Sequence, residues 1–274
     1  MTRPNPALPI GIFDSGIGGL SVLDAIAARL PGEDLLYLGD TARLPYGTKS
    51  PETVARYAVQ AAQHLVDRGV KMLVIACNTA SAHAIPALSA AFPDIQVIGV
   101  IEPGAAAAVA AAPEGRIGVL ATESTVSANA YQKAINALRG DADVRQQACS
   151  VFVALAEEGW IEGEVVESAA RRYIEPILNH GRPKPEALVL GCTHFPLLRP
   201  TIAKIAGPDI AIVDSASTTA EAVAQALTDQ GIDAPTPSGK VHFMATDSAP
   251  RFARVATIFL DRPIEPGDVE IVDL

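Results

Sequence analysis

The sequence predicts an α/β fold of two similar lobes, each a mainly parallel sheet flanked by helices, with an active site in the cleft between them. Three observations carry this expectation. Short apolar runs alternate with helix-like segments, the pattern of parallel strands joined by crossover helices. The runs are almost continuously apolar, as strands covered on both faces must be. Two stretches, KMLVIACNTASAHAIPAL and EALVLGCTHFPLLRPTI, repeat one layout of apolar strand, small residue, cysteine, polar residues and a later proline.

In chain order the first run, PIGIFD, ends at Asp14 and feeds a glycine-rich turn, SGIGG, that opens a helix. DLLYLGD ends at Asp40 and leads into the turn LPYGTKS; Ser50 is then the N-cap and Pro51 the first residue of a helix reaching Arg68. VKMLVIAC ends at Cys77, IQVIGVI precedes Glu102, RIGVLAT ends at Thr122, EALVLGC ends at Cys192, and IAIVDS contains Asp214-Ser215. Ligands of open α/β sheets bind beyond the carboxyl ends of the strands, so these residues and the polar ones that follow them are the candidate site. Turn clusters of Pro, Gly and Asp place the lobe boundaries near Ile98 and Ala211. One lobe then comprises residues 1–98 with 212–274, and the other residues 99–211.

Hydrophobic residues make up 49% of the 274 and charged residues 19%, which excludes a disordered or fibrous chain. The formal net charge of −10 argues against the basic surface that nucleic acid or an anionic membrane requires, so neither is expected as a partner. An anionic ligand would need local donors such as amides and hydroxyls. The N-terminus, MTRPNPALPIG, lacks the apolar centre of a secretory signal. The run Ala105 to Ala112 falls far short of the roughly 20 residues that cross a bilayer. A cytoplasmic protein is expected. Three cysteines without a C-x-x-C are then read as free thiols.

Cys77 and Cys192 each stand where a strand feeds a helix, and unsatisfied amides there favour a thiolate. One such thiol per lobe points to a paired acid and base. Cys149, in QQACSVFVAL, lacks a strand-to-helix setting and is read as packing. Ser15, Asn78, Thr79 and Thr193 offer hydroxyl or amide groups to a carboxylate, and Asp14 can face an ammonium. The helix caps of an inert turn remain the alternative for each. The glycine turn could hold a dinucleotide, but Ser21 stands where the third glycine of that fingerprint belongs. Cys192 and His194 could begin a zinc site, but no second close Cys/His cluster completes it.

GIFDSGIGGLSV, GDTARLPYGTKS, ACNTASA, VIGVIEPG and GCTHFPLL follow one another through most of the chain. With these motifs the sequence closely resembles the glutamate racemase family. The resemblance implies a two-lobed fold, an amino-acid substrate, no cofactor and no metal, a homodimer, and a supply of D-glutamate for peptidoglycan. It implies that Cys77 and Cys192 are the catalytic acid/base pair. Asp14, Ser15, Tyr46, Gly47, Asn78, Thr79, Thr193 and His194 are implied as substrate contacts, with Asp14 and His194 also in the chemistry. An auxiliary acid falls on ALAEEG, at Glu157, with Glu158 as the alternative. Inverting a stereocentre by proton transfer needs a base on one face of Cα and an acid on the other, which cysteines on opposing lobes supply.

Overall fold

A computed structural model of the chain describes residues 4–179, 181–260 and 262–274; the start of the N-terminal stretch read above, residues 1–3, lies outside the described residues. The first half runs β1 (Ile10–Asp14), α1 (Leu20–Arg29), β2 (Leu35–Gly39), α2 (Pro51–Asp67), β3 (Met72–Ile75), α3 (Asn78–Ala91), β4 (Gln96–Gly99) and α4 (Ile101–Ala111). The chain continues through β5 (Arg116–Ala121), α5 (Glu123–Ser127), α6 (Ala130–Leu138), β6 (Asp143–Ala148), α7 (Ser150–Glu157), α8 (Glu164–Leu178), β7 (Ala187–Gly191), α9 (Arg199–Ala206) and β8 (Ala211–Asp214). It closes with α10 (Ser215–Gln230), β9 (Val241–Ala245), α11 (Ala249–Leu260) and β10 (Val269–Ile271).

Two sheets result. One has the order β10-β9-β2-β1-β3-β4 and the other β6-β5-β7-β8, and every pairing between neighbours is parallel. The internal repeat becomes explicit here. The order β2-β1-β3-β4 recurs as β6-β5-β7-β8, so β1 corresponds to β5 and β3 to β7. In each sheet the chain leaves the central strand in one direction and returns on its other side, creating a switch point beside two carboxyl ends. Ser15 and Cys77 follow the two strands at the first switch point; Thr122 and Cys192 follow those at the second.

The apolar runs are apolar because both faces are covered. Ile10, Ile12 and Val74 pack on one side of the first sheet, and Phe13, Leu73 and Ile75 on the other. The second sheet does the same with Leu120, Leu188 and Leu190 against Ile117, Val119 and Val189. The expected helix after Ser50 forms over Pro51–Asp67, with the Ser50 side chain accepting the Thr53 N–H at 3.3 Å. The boundaries drawn from sequence at 98/99 and 211/212 cut strands, because β4 runs to Gly99 and β8, paired with β7, runs to Asp214. No helix among the described residues is long and apolar enough to cross a membrane.

Candidate active site

The two switch points face a shared cavity of about 420 Å³. Ser15, Tyr46, Gly47, Cys77, Asn78, Thr79, Glu157, Cys192, Thr193 and His194 border it. Each arrives from a position set by its strand. Cys77 caps α3 and its sulfur accepts the Ala80 N–H at 3.4 Å, while its S–H donates to Ser15 Oγ at 3.3 Å. Cys192 follows β7 and precedes a short 3-10 turn, Phe195–Leu198, so no α-helix starts directly behind it. Asn78 accepts the Tyr131 hydroxyl on Oδ1 at 2.8 Å, and its Nδ2 is buried without a partner among the described residues. Such a donor costs about 1–3 kcal/mol until a ligand pairs it. Thr79 Oγ1 meets Thr122 Oγ1 across the cleft at 3.0 Å.

The two thiols have different neighbours. Burial, and then the Asp14 carboxylate, push the Cys77 thiol up to about 12, outweighing its bonds to Ser15 and the Ala80 amide. The sequence expectation of a lowered pKa at this helix start is therefore corrected, because desolvation exceeds the help of one amide. Beside Cys192 lies His194, with Nδ1 3.7 Å from the sulfur and Nε2 3.2 Å from Glu157 Oε1. Burial alone would lower the His194 pKa, but Cys192, Glu157 and Asp14 together raise it to about 10. The imidazolium is thus the charge beside Cys192 at neutral pH.

Glu157 is held in turn by Arg251, whose Nη2 donates to Oε2 at 2.6 Å. Burial opposes ionisation of Glu157, yet His194 and Arg251 keep its pKa below the ordinary carboxylate value. Glu158 ends α7 exposed to solvent, so of the two acids in ALAEEG only Glu157 reaches the cavity. A histidine at about 10 folded and near 6.5 unfolded contributes stability present in full below about pH 6.5 and lost as pH rises through about 10. Replacing Glu157 with Gln is expected to move the His194 titration down towards 6.5. A histidine NMR titration that leaves it near 10 would show that Glu157 does not hold this proton.

Other residues fall differently from the sequence reading. Asp14 is 1% exposed and does not border the cavity; its Oδ2 accepts the Gly16 N–H at 2.9 Å, and burial raises its pKa. Its influence on the cavity is through charge. Tyr46 donates its hydroxyl to Asp40, which also accepts Arg43 Nε at 2.6 Å and Thr246 Oγ1 at 3.0 Å. Asp40 therefore fastens the loop that brings Tyr46 and Gly47 to the cavity wall. Glu102 borders a separate groove between α3, α4 and α6. Cys149 does join β6 to α7, contrary to the sequence reading, but it is fully buried and donates to Gln147 O at 3.4 Å.

The glycine turn is filled by protein. A Cβ on Gly18 would lie 2.4 Å from His194 Cε1 and 2.5 Å from Thr193 Oγ1, so the close approach serves the opposing lobe and leaves no phosphate-sized gap there. Among the described residues no group of three or more His, Cys, Asp or Glu side chains is placed to hold a metal ion. Thr122, Glu123, Ser150 and Arg251 border the cavity without having been carried forward as site residues. Thr122 had a signal in its strand-end position. Arg251 had none, since its place in the wall depends wholly on how α11 folds back.

Comparison with known proteins agrees with this fold. Residues 10–223 match the family described as Asp/Glu/Hydantoin racemase. A glutamate racemase from Geobacter metallireducens is 48% identical, covering 98% of this chain and 98% of its own. The crystal structure of glutamate racemase from Francisella tularensis in complex with D-glutamate superposes with a TM-score of 0.89 at 35% identity, covering 98% of each chain. That of glutamate racemase from Thermus thermophilus in complex with beta-chloro-D-alanine gives 0.87 at 39% identity, again over 98% of each chain. With identity and fold both shared over nearly the whole chain, the chain belongs to the Asp/Glu/Hydantoin racemase family, on its glutamate racemase branch.

Proposed function

We propose that the protein interconverts L- and D-glutamate without a cofactor by passing the Cα proton between solvent-exchanging groups on Cys77 and Cys192. The observation that carries this reading is that the two buried cysteines, each following the corresponding strand of a repeated sheet, border one cavity. The substrate carboxylate pairs with Asn78 Nδ2, the hydroxyls of Thr79 and Thr193, and amides of the first turn of α3. Buried negative charge at Asp14 favours the ammonium. In one direction a thiolate at Cys192, with the His194 imidazolium as counter-charge, takes the proton from one face of Cα. The carbanion's charge spreads into the carboxylate, whose donors strengthen as it builds. The Cys77 thiol, kept protonated by its surroundings, delivers a proton to the other face. The reverse reaction exchanges the two roles.

D-Glutamate made in this way supplies peptidoglycan synthesis in the cytoplasm, and the enzyme acts as a homodimer. The reading is tested with both enantiomers in heavy water, following rotation and isotope together, with aspartate as the control. Each product enantiomer is expected to carry deuterium at Cα. Inversion with full retention of substrate hydrogen, or turnover of aspartate in preference to glutamate, would overturn it. Rescue of a D-glutamate auxotroph tests the cellular role.

A further inference from the structure

Asn78 presents an amide whose two ends are chemically different but sterically alike, and only one orientation offers a donor to a carboxylate. The side chain that selects between them comes from the other lobe. Tyr131, on α6, is fully buried and donates its hydroxyl to Asn78 Oδ1 at 2.8 Å. Its ring lies in a slot walled by two glycines. A Cβ on Gly104 would come within 3.2 Å of Tyr131 Cε1 and the hydroxyl oxygen, and one on Gly191 within 2.8 Å of Cε2. Gly191 directly precedes Cys192, and Asn78 directly follows Cys77. One aromatic ring thus leans on one cysteine loop while its hydroxyl holds the other.

We propose that Tyr131 is a positioning residue, which fixes the Asn78 amide with Oδ1 turned away and Nδ2 presented to the substrate carboxylate. The unpartnered Nδ2 is the observation that points to a ligand. A phenol is suited to this task because burial, with the charges of Cys192 and Glu102, raises its pKa far above the usual value and keeps the proton in place. The hydroxyl donates to Oδ1 and has no other acceptor among the described residues, so the amide orientation that satisfies the buried phenol proton is the one with the oxygen facing it. Rotation of Asn78 would take the acceptor away from the buried Tyr131 O–H and turn a carbonyl towards the substrate's negative charge.

The inference rests on the amino-acid racemase reading above, and its test separates the two. Tyr131→Phe keeps the ring in its slot and removes only the hydroxyl. KM for both glutamate enantiomers is expected to rise about tenfold, the scale of one hydrogen bond to a charged group, with a smaller fall in kcat and a thermal melt lowered by only a few degrees through the lost hydrogen bond. D-Glutamate is then titrated calorimetrically into a Cys77→Ser/Cys192→Ser background. There Tyr131→Phe and Asn78→Ala should each weaken binding about tenfold, and the combination should weaken it no further than either alone. A KM within twofold of wild type, or losses that multiply in the combined variant, would overturn the assignment. Absence of racemisation by the wild type would instead sink the functional reading, while the binding cycle would still report on Tyr131.

Discussion

Cys77→Ala and Cys192→Ala are each expected to reduce glutamate racemisation by at least about a thousandfold, within the range that a positioned acid or base contributes. Neither loss should be total silence. A variant with one remaining thiol still has a base on one face of Cα, and that thiol can remove the proton, exchange it with solvent and return it to the same face. Each single variant should therefore wash deuterium into one enantiomer without inverting it, and the two variants should label opposite enantiomers. That complementarity is a stronger test than inactivity, because a merely disrupted cavity would abolish exchange of both. Near-normal racemisation by either variant would remove that residue from the chemistry. Equal labelling of one enantiomer by both would place the sulfurs on the same face.

The settings of the two thiols add a further consequence to the same variants. Cys77 is held protonated by burial and Asp14, while Cys192 looks onto an imidazolium fixed by Glu157 and Arg251. The first lobe thus brings a protonated thiol to the cavity, and the second brings a sulfur with an imidazolium beside it. On the proposed mechanism one turnover moves a proton from one thiol to the other, so the protein must then either meet the opposite enantiomer or exchange protons with water. Cys192 should accordingly be the thiol that iodoacetamide alkylates first at neutral pH, with Cys77 protected.

Much of this was legible in the sequence because both-face burial writes itself as an apolar run. β1, β2, β3, β5 and β7 could be read directly for that reason. The strands that were missed are β6, β9 and β10. β6, DVRQQA, is an edge strand with only one fully buried residue, so polar side chains interrupt its signal. β10 is three residues long at an edge of the other sheet. Site residues on strand ends were visible for the same topological reason, and Cys77, Cys192 and their polar followers lie where that rule puts them. Quantities set by several elements at once were not visible. The raised pKa of Cys77 depends on burial that three layers create, and the clasp of Arg251 on Glu157 joins residues that only the folded chain brings together. Tyr131 was hidden similarly: nothing local distinguishes it from any aromatic on the buried face of a helix.

Gly18→Ala tests whether the glycine turn exists for the opposing lobe. Gly18 carries no left-handed backbone angle, so alanine is tolerated by the chain itself and the question is one of space. The added methyl carbon would lie 2.4 Å from His194 Cε1, 2.5 Å from His194 Nδ1 and 2.5 Å from Thr193 Oγ1, distances that no real contact sustains. His194 cannot simply yield. Phe259 packs edge-on against its ring at 5.5 Å, Glu157 holds Nε2, and the Thr193 backbone carbonyl accepts Ser21 Oγ at 3.0 Å. Relief must come from moving the loop after Cys192 or from parting the lobes, and either displaces one thiol relative to the other. A shift of about 1 Å in such a constellation costs on the order of a hundredfold, so kcat/KM should fall by about that factor while the thermal melt stays near that of the wild type. The His194 titration should drop with it, since its hold on Cys192 and Glu157 is lost. Activity within threefold of wild type with an unchanged His194 titration would mean that the lobes give way freely at this point, and that the spacing of the two cysteines is set elsewhere.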